Sequence, residues 1–199
     1  MARTIAKDHE EKRAQILRTA AYVFAREGFD RASMNQIAAA CGISKANIYH
    51  YYAGKEFLLF DLLDGYLREL RDRICVPGEA GQDPKARLRA TVAEILRAYQ
   101  GADDHHKVQI AATSALSEDQ QEVLRVYQRD LVRHMSAILA DIAPGLSADK
   151  TRLRSVTMSV FGMLNWYYMW NSGAGSKARD AYASLVSDLT LEGLAGITC

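Results

Sequence analysis

Proline is scarce in this chain of 199 residues: there are three, all between positions 77 and 144. Proline removes a helix donor, so long stretches without it, rich in Ala, Leu and Arg, point to an all-α protein. Cysteine is equally sparse. Cys41, Cys75 and Cys199 lie too far apart in sequence to form a zinc clip. Their odd number argues against a disulfide frame, and Cys41 reads as a small core residue. No apolar run approaches the ~18 residues of a membrane span, and the N-terminus lacks a charged-then-apolar signal pattern. The expectation is a cytoplasmic protein with no membrane partner. Enzyme signatures are missing too: there is no Ser-His-Asp order, HExxH, P-loop or G-x-G-x-x-G. What remains is 49% hydrophobic and 25% charged, enough for one or two globular domains with a real core.

The net charge of +1 is unevenly spread. Residues 1–60 hold nine Lys or Arg against six Asp or Glu, a net +3, and the remainder is −2. The N-terminal part is therefore the expected anion-facing end.

Along the chain, residues 1–8 with Arg3 and Lys7 read as a mobile arm. Ile16, Leu17, Ala20, Val23 and Phe24 recur at helical intervals over about 9–27, with Gly28 closing the helix and Phe29 placed to fold back on the core. The region 33–58 then reads as two short helices and the start of a third. Ser33 is an N-cap with Gln36 at the capping-box position. Met34, Ile37, Ala38 and Cys41 form an apolar set, and Gly42 supplies the left-handed turn. Ser44 caps a second helix. Helix, tight glycine turn and second helix make a helix-turn-helix, whose second helix enters the major groove.

A long helix over about 55–75 is apolar on more than one face and reads as a connector. The breaker-rich stretch 76–84 is a loop, with Asp83-Pro84 as cap and first residue of the next helix. Further helices are expected at about 84–100, 104–115, 117–142, 148–171 and 177–195. The fold class is all-α with about nine helices. A DNA-binding domain is expected over 1–53, and a connector with a C-terminal helical module over 54–199.

Candidate DNA contacts follow from chemistry. Lys45 and Asn47 open the recognition helix, where Lys donates to guanine and Asn pairs with adenine. Tyr49, His50 and Tyr51 suit phosphate oxygens, although His50 reads equally well as a solvated residue. Ser33, Ser44 and Lys55 lie near helix N-termini, where a phosphate is favoured. Ile48 and one of Tyr51 or Tyr52 belong to the core.

This arrangement resembles the TetR family of bacterial transcriptional regulators. The residues that carry the likeness are Phe24, Gly28, Phe29, Ile37, Ala38, Gly42, Ser44, Tyr49, Tyr51, Lys55 and Leu58, over roughly 10–60. Gly54 departs from the family, which often has Ser or Asp there. The resemblance implies a homodimer on a palindromic double-stranded operator, acting as a repressor and released by a small effector in the C-terminal module. The dimer is expected to use the last two helices as a four-helix seam, with Val156, Val160, Leu164, Leu185, Val186, Leu189 and Leu194 as its apolar surface and Gly193 for close packing.

Both tryptophans, Trp166 and Trp170, lie four apart and share one helix face. That face reads either as a core or dimer seam or as a pocket wall. The run of Gly162, Asn165, Trp166 and Trp170 before a glycine-containing turn resembles the TetR branch that senses acyl-coenzyme A thioesters. On that resemblance Tyr99, Gln109, Gly162, Asn165, Trp166 and Trp170 line an effector site, with a hydrophobic drug or free fatty acid as the rival ligand. Arg125, Arg129 and Arg133 form either a solvated face or a site for coenzyme phosphates, the former favoured. The rival class is a helical-bundle enzyme or metal-binding protein built on Asp103-Asp104-His105-His106. Consecutive positions on a helix point apart, so no metal site and no cofactor is expected.

Overall fold

A computed structural model describes the backbone of residues 2–76 and 81–197 and the side chains of 7–76 and 81–196. The expected loop at 76–84 therefore lies partly outside the described residues, as does Cys199. Among the described residues there are nine α-helices and no strand. The helices are α1 (Ala2–Glu27), α2 (Met34–Ala40), α3 (Lys45–Tyr51), α4 (Lys55–Ile74), α5 (Pro84–Ala98), α6 (Asp103–Ala112), α7 (Glu118–Ile142), α8 (Lys150–Trp170) and α9 (Ser176–Ile197). Short 3₁₀ turns at Thr113–Ala115 and Pro144–Ala148 follow α6 and α7. No described helix is long and apolar enough to cross a membrane.

The chain divides into two compact units, Met1–Leu67 with Asp104–Leu124, and Arg68–Asp103 with Arg125–Cys199. In the first unit, α1 packs on α2 and α2 on α3. Its core includes Ile16, Ala20, Phe24, Ile37, Cys41, Ile48, Leu58 and Leu59, all buried. Each such aliphatic or aromatic side chain contributes about 1.5–3 kcal/mol when fully buried. Gly28 and Gly42 have φ of 80° and 65°, the left-handed backbone that ends each helix and that a Cβ disfavours. Phe29 folds back onto Phe24, with ring centroids 5.2 Å apart.

One expectation is corrected here. The segment read as an arm is part of α1, which begins at Ala2. No Gly or Pro interrupts residues 2–27, and Lys7 pairs with Glu11 one turn on at 3.7 Å.

In the second unit α5 packs along α9 and against α8. Leu88, Val92, Ile95, Leu96, Met135, Ile138, Leu139, Val160, Leu164 and Val186 form its core. Asp83 caps α5 by accepting from the amides of Lys85 and Ala86. Asp149 caps α8, accepting from Arg152 N at 2.9 Å.

Candidate nucleic-acid interface and sensor residues

The head is built from its caps outward. Ser33 Oγ accepts from Gln36 N at 3.2 Å, and Gln36 Oε1 accepts from Ser33 N at 2.8 Å, closing a full capping box. Ser44 Oγ accepts from Asn47 N at 3.1 Å. Both serine hydroxyls therefore hold helix ends, which fixes where α2 and α3 begin. Ile48 is the one fully buried residue of α3. Lys45, Asn47, Tyr49 and His50 are all exposed around it. Tyr49 keeps 44% of its surface, with Lys45 Nζ 5.9 Å from its ring centroid. Four polar side chains on a short helix with one apolar anchor form a face with donors to offer and little to bury.

The two remaining tyrosines separate cleanly. Tyr51 is half-buried and stacks on His9 of α1 at 4.7 Å. Tyr52 is the core residue of the pair. Its hydroxyl donates to Asp61 Oδ2 at 2.5 Å, while Arg13 Nη2 donates to both oxygens of Asp61 at 2.5 and 2.7 Å. Burial, and then the hydrogen bond to Asp61, push the Tyr52 hydroxyl well above its usual range. This network ties α1, the end of α3 and α4 together. The sequence offered no sign of it, because its members lie 9 and 48 residues apart.

Lys55 departs from expectation. Rather than facing outward toward a phosphate, its ammonium donates to the carbonyls of Phe29 at 2.9 Å, Asp30 at 3.0 Å and Ala32 at 3.4 Å. It also lies 4.5 Å from the Phe29 ring centroid. Three carbonyls match its three N–H donors.

In the second unit Tyr99 and Asn165 come together. Tyr99 is buried, and its hydroxyl donates to Asn165 Oδ1 at 2.7 Å. Burial raises the Tyr99 hydroxyl's pKa, so it stays a neutral donor. Of the other residues read as sensor lining, Gly162, Trp166 and Trp170 lie on the outside of α8. Gln109 belongs to the first unit, where its carbonyl accepts from Thr113 Oγ1. Gly162 is exposed, and Trp166 and Trp170 are 58% and 59% exposed. Helical spacing puts Met158, Gly162, Trp166 and Trp170 on one outer stripe of α8, joined by Met169. On α9, Leu185, Leu189 and Gly193 make a matching stripe.

The expected seam residues are corrected accordingly. Val160, Leu164, Val186 and Leu194 are buried within their own chain, because they face the α5 side of the bundle. Val156 is half-buried, packed against the same core. Of the expected set, Leu185, Leu189 and Gly193 remain outside. Arg125, Arg129 and Arg133 are exposed on α7.

Asp103 has a use other than metal binding. Oδ2 accepts from Gly173 N at 3.0 Å and Ser172 Oγ at 3.2 Å, and Oδ1 meets Arg179 Nη2 at 3.3 Å. Arg179 is 1% exposed and also donates to the carbonyls of Ala174 and Leu96. Among the described residues no group of three or more His, Cys, Asp or Glu could hold a metal ion.

A wholly helical chain whose head is a capped helix-turn-helix, with a bare polar face on its second helix, has the architecture of a DNA-binding regulator. Residues 16–62 match the family model "Bacterial regulatory proteins, tetR family", and residues 81–194 match "Tetracyclin repressor-like, C-terminal domain". The chain belongs to the TetR family of transcriptional regulators, which are DNA-binding proteins and not enzymes.

The fold of a TetR-family regulator from Bordetella parapertussis 12822 superposes with a TM-score of 0.84 at 35% identity, covering 90% of this chain and 94% of that one. The repressor KstR2 of Rhodococcus jostii is 25% identical over 196 residues, 92% of this chain and 91% of that protein. AibR, solved in complex with isovaleryl coenzyme A and operator DNA, has a TM-score of 0.74 at 21% identity, covering 90% and 98% of the two chains. The chain spans 45% of the length of another regulator it matches.

Proposed function

We propose that this regulator is a cytoplasmic repressor that binds a palindromic operator as a homodimer and leaves it when a small acyl-coenzyme A thioester binds. The observation that carries the DNA side is the outer face of α3, where Lys45, Asn47, Tyr49 and His50 are exposed around the single anchor Ile48. Lys45 and Asn47 read base edges, and Tyr49 and His50 hold phosphates.

A single recognition helix is a weak reader, and two held at one helical turn of DNA read a palindrome. The outer stripes of α8 and α9 supply the joint. Trp166, Met169, Trp170, Leu185 and Leu189 are each more than half exposed, a contiguity of large apolar side chains that marks a protein interface.

The thioester reading is supported by the likeness to AibR, a protein solved with isovaleryl coenzyme A, and by the Tyr99–Asn165 pair. A buried, neutral tyrosine hydroxyl beside a half-buried amide can orient one polar group of a ligand whose remainder is apolar. Trp166 and Trp170 go to the dimer seam and not to the pocket.

A thermal-shift and operator-release screen tests this. Short and branched acyl-coenzyme A thioesters are expected to raise the melting temperature and free the DNA, and free coenzyme A is not. If only hydrophobic drugs or free fatty acids do so, the thioester assignment fails and the rival effector class holds.

A further inference from the structure

We propose that His9 of α1 is a further DNA-contacting residue, and that with His50 it forms a proton-operated phosphate clamp around Tyr51. This rests on α3 being the DNA reader. The chain has five histidines, and two of them meet at one tyrosine. The His9 ring stacks on Tyr51 with centroids 4.7 Å apart and planes 26° from parallel. The His50 ring stands nearly perpendicular to Tyr51, at 5.8 Å and 87°. Tyr51 is the last residue of α3, so a side chain of α1 stands at the end of the reading helix.

Both imidazoles are open to solvent. The His9 side chain keeps 48% of its surface, and His50 is exposed. The groups that face His9 are Glu10 on its own helix, with Oε1 3.8 Å from Nδ1, and Tyr51 from α3. Glu10 is shared with Arg13 at 3.8 Å, and Arg13 reaches on to Asp61 of α4, which also holds Tyr52. On the α3 side, Lys45 Nζ lies 5.9 Å from the Tyr49 ring centroid. Phosphate contacts position a recognition helix from its flanks, and that is the role open to a side chain on α1.

A neutral imidazole has one N–H donor and one nitrogen lone pair, and the lone pair repels a phosphate oxygen. The imidazolium offers two donors and a positive charge. Imidazole is the side chain that takes up a proton between about pH 5 and 8. A duplex carries one negative charge per ~1.7 Å of its axis. Charge of opposite sign favours the protonated ring, so operator binding draws a proton onto each imidazole. That proton adds a cation–π contact where His9 lies on Tyr51. Affinity therefore rises as pH falls and is lost as pH rises. Each imidazolium that meets a phosphate adds about one to the salt slope.

The experiment uses the full chain and a duplex that the wild type selects from a randomised library. Affinity is measured at about pH 6 and about pH 8, across a salt series, for the wild type, His9→Phe, His9→Lys and Asn47→Ala. Each is checked by circular dichroism to be folded. The wild type is expected to bind about ten-fold more tightly at the lower pH, with a steeper salt slope. His9→Phe keeps a ring against Tyr51 and removes the proton. It is expected to lose about half of the pH dependence on a logarithmic scale, and about one unit of the added slope. His9→Lys, with a fixed charge, is expected to lose the same share of the pH dependence while binding more tightly than His9→Phe at the higher pH. If His9→Phe fails to fold, His9→Lys carries the comparison. A wild type with equal affinity at both pH values overturns the clamp. So does a wild-type pH profile in His9→Phe, which would make His9 a stacking partner of Tyr51 and nothing more. Asn47→Ala separates the two readings: if it leaves sequence preference intact, α3 is not the reader, and the failure belongs to that premise rather than to His9.

Discussion

The outer face of α3 and the outer faces of α8 and α9 are both uncovered, yet they carry opposite chemistry. The first presents Lys45, Asn47, Tyr49 and His50, and the second presents Met158, Trp166, Met169, Trp170, Leu185 and Leu189. A polar face costs nothing to leave in water and can exchange its water for phosphates and base edges. A face of tryptophan, methionine and leucine is unfavourable in water and is relieved by a matching apolar surface. In the proposed function, that difference separates the partner that is read from the partner that is kept.

The largest effect should come from spoiling the apolar face. Trp166→Asp with Leu189→Asp is expected to convert the dimer to a monomer in sedimentation, because two interface anchors are each worth at least about 2 kcal/mol. Operator affinity should fall with it, although α3 is untouched. The reciprocal change, Asn47→Ala, is expected to leave the dimer intact and to relax preference at one base position by about 1–3 kcal/mol, measured by binding to single-base variants of the selected duplex. If both changes alter dimerisation, the two faces are not independent.

Smaller still is Ser44→Ala, which removes the cap of α3 and should lower stability by about 1 kcal/mol, read from denaturant midpoints. The smallest effects concern pH, and they separate the two units. Tyr52, its pKa raised by burial and then by Asp61, stays protonated when folded. Its contribution is present below pH 10 and is lost as pH rises above that, so Tyr52→Phe should flatten the alkaline limb. His134, its pKa lowered by burial and then by Arg87, is held neutral. Its contribution is lost as pH falls below 6.5, where the unfolded chain takes up the proton, and His134→Gln should flatten the acid limb.

The head was far more legible in sequence than the second unit. Its caps act locally, over three residues, so Ser33, Gln36 and Ser44 could be placed by spacing alone. Gly28 and Gly42 announced their turns by residue type. Lys55 was placed correctly at the start of α4, but its carbonyl partners were not foreseen. Its carbonyl acceptors lie 23 to 26 residues back in sequence, and backbone acceptors leave no trace in residue type.

In the second unit, helical periodicity predicted α8 and α9 closely but could not say which apolar stripe faces inward. Val160, Leu164, Val186 and Leu194 went to the core, and Trp166 and Trp170 went outside. A helix apolar nearly all round hides that choice until its neighbours are known. Arg179 gave no signal, since a buried arginine is defined by partners at Leu96 and Asp103, 83 and 76 residues away. The Tyr99–Asn165 pair spans 66 residues, and only the family resemblance brought its two members into one set.

The most direct test is native mass spectrometry of the wild-type chain and of Trp166→Asp with Leu189→Asp, each mixed with the duplex the wild type selects. Two bare faces, one for DNA and one for a second copy, require an even number of wild-type chains on every duplex and free monomers of the variant. A single wild-type chain holding the duplex, or a variant that still binds it in pairs, would contradict the division of labour between α3 and the α8–α9 face.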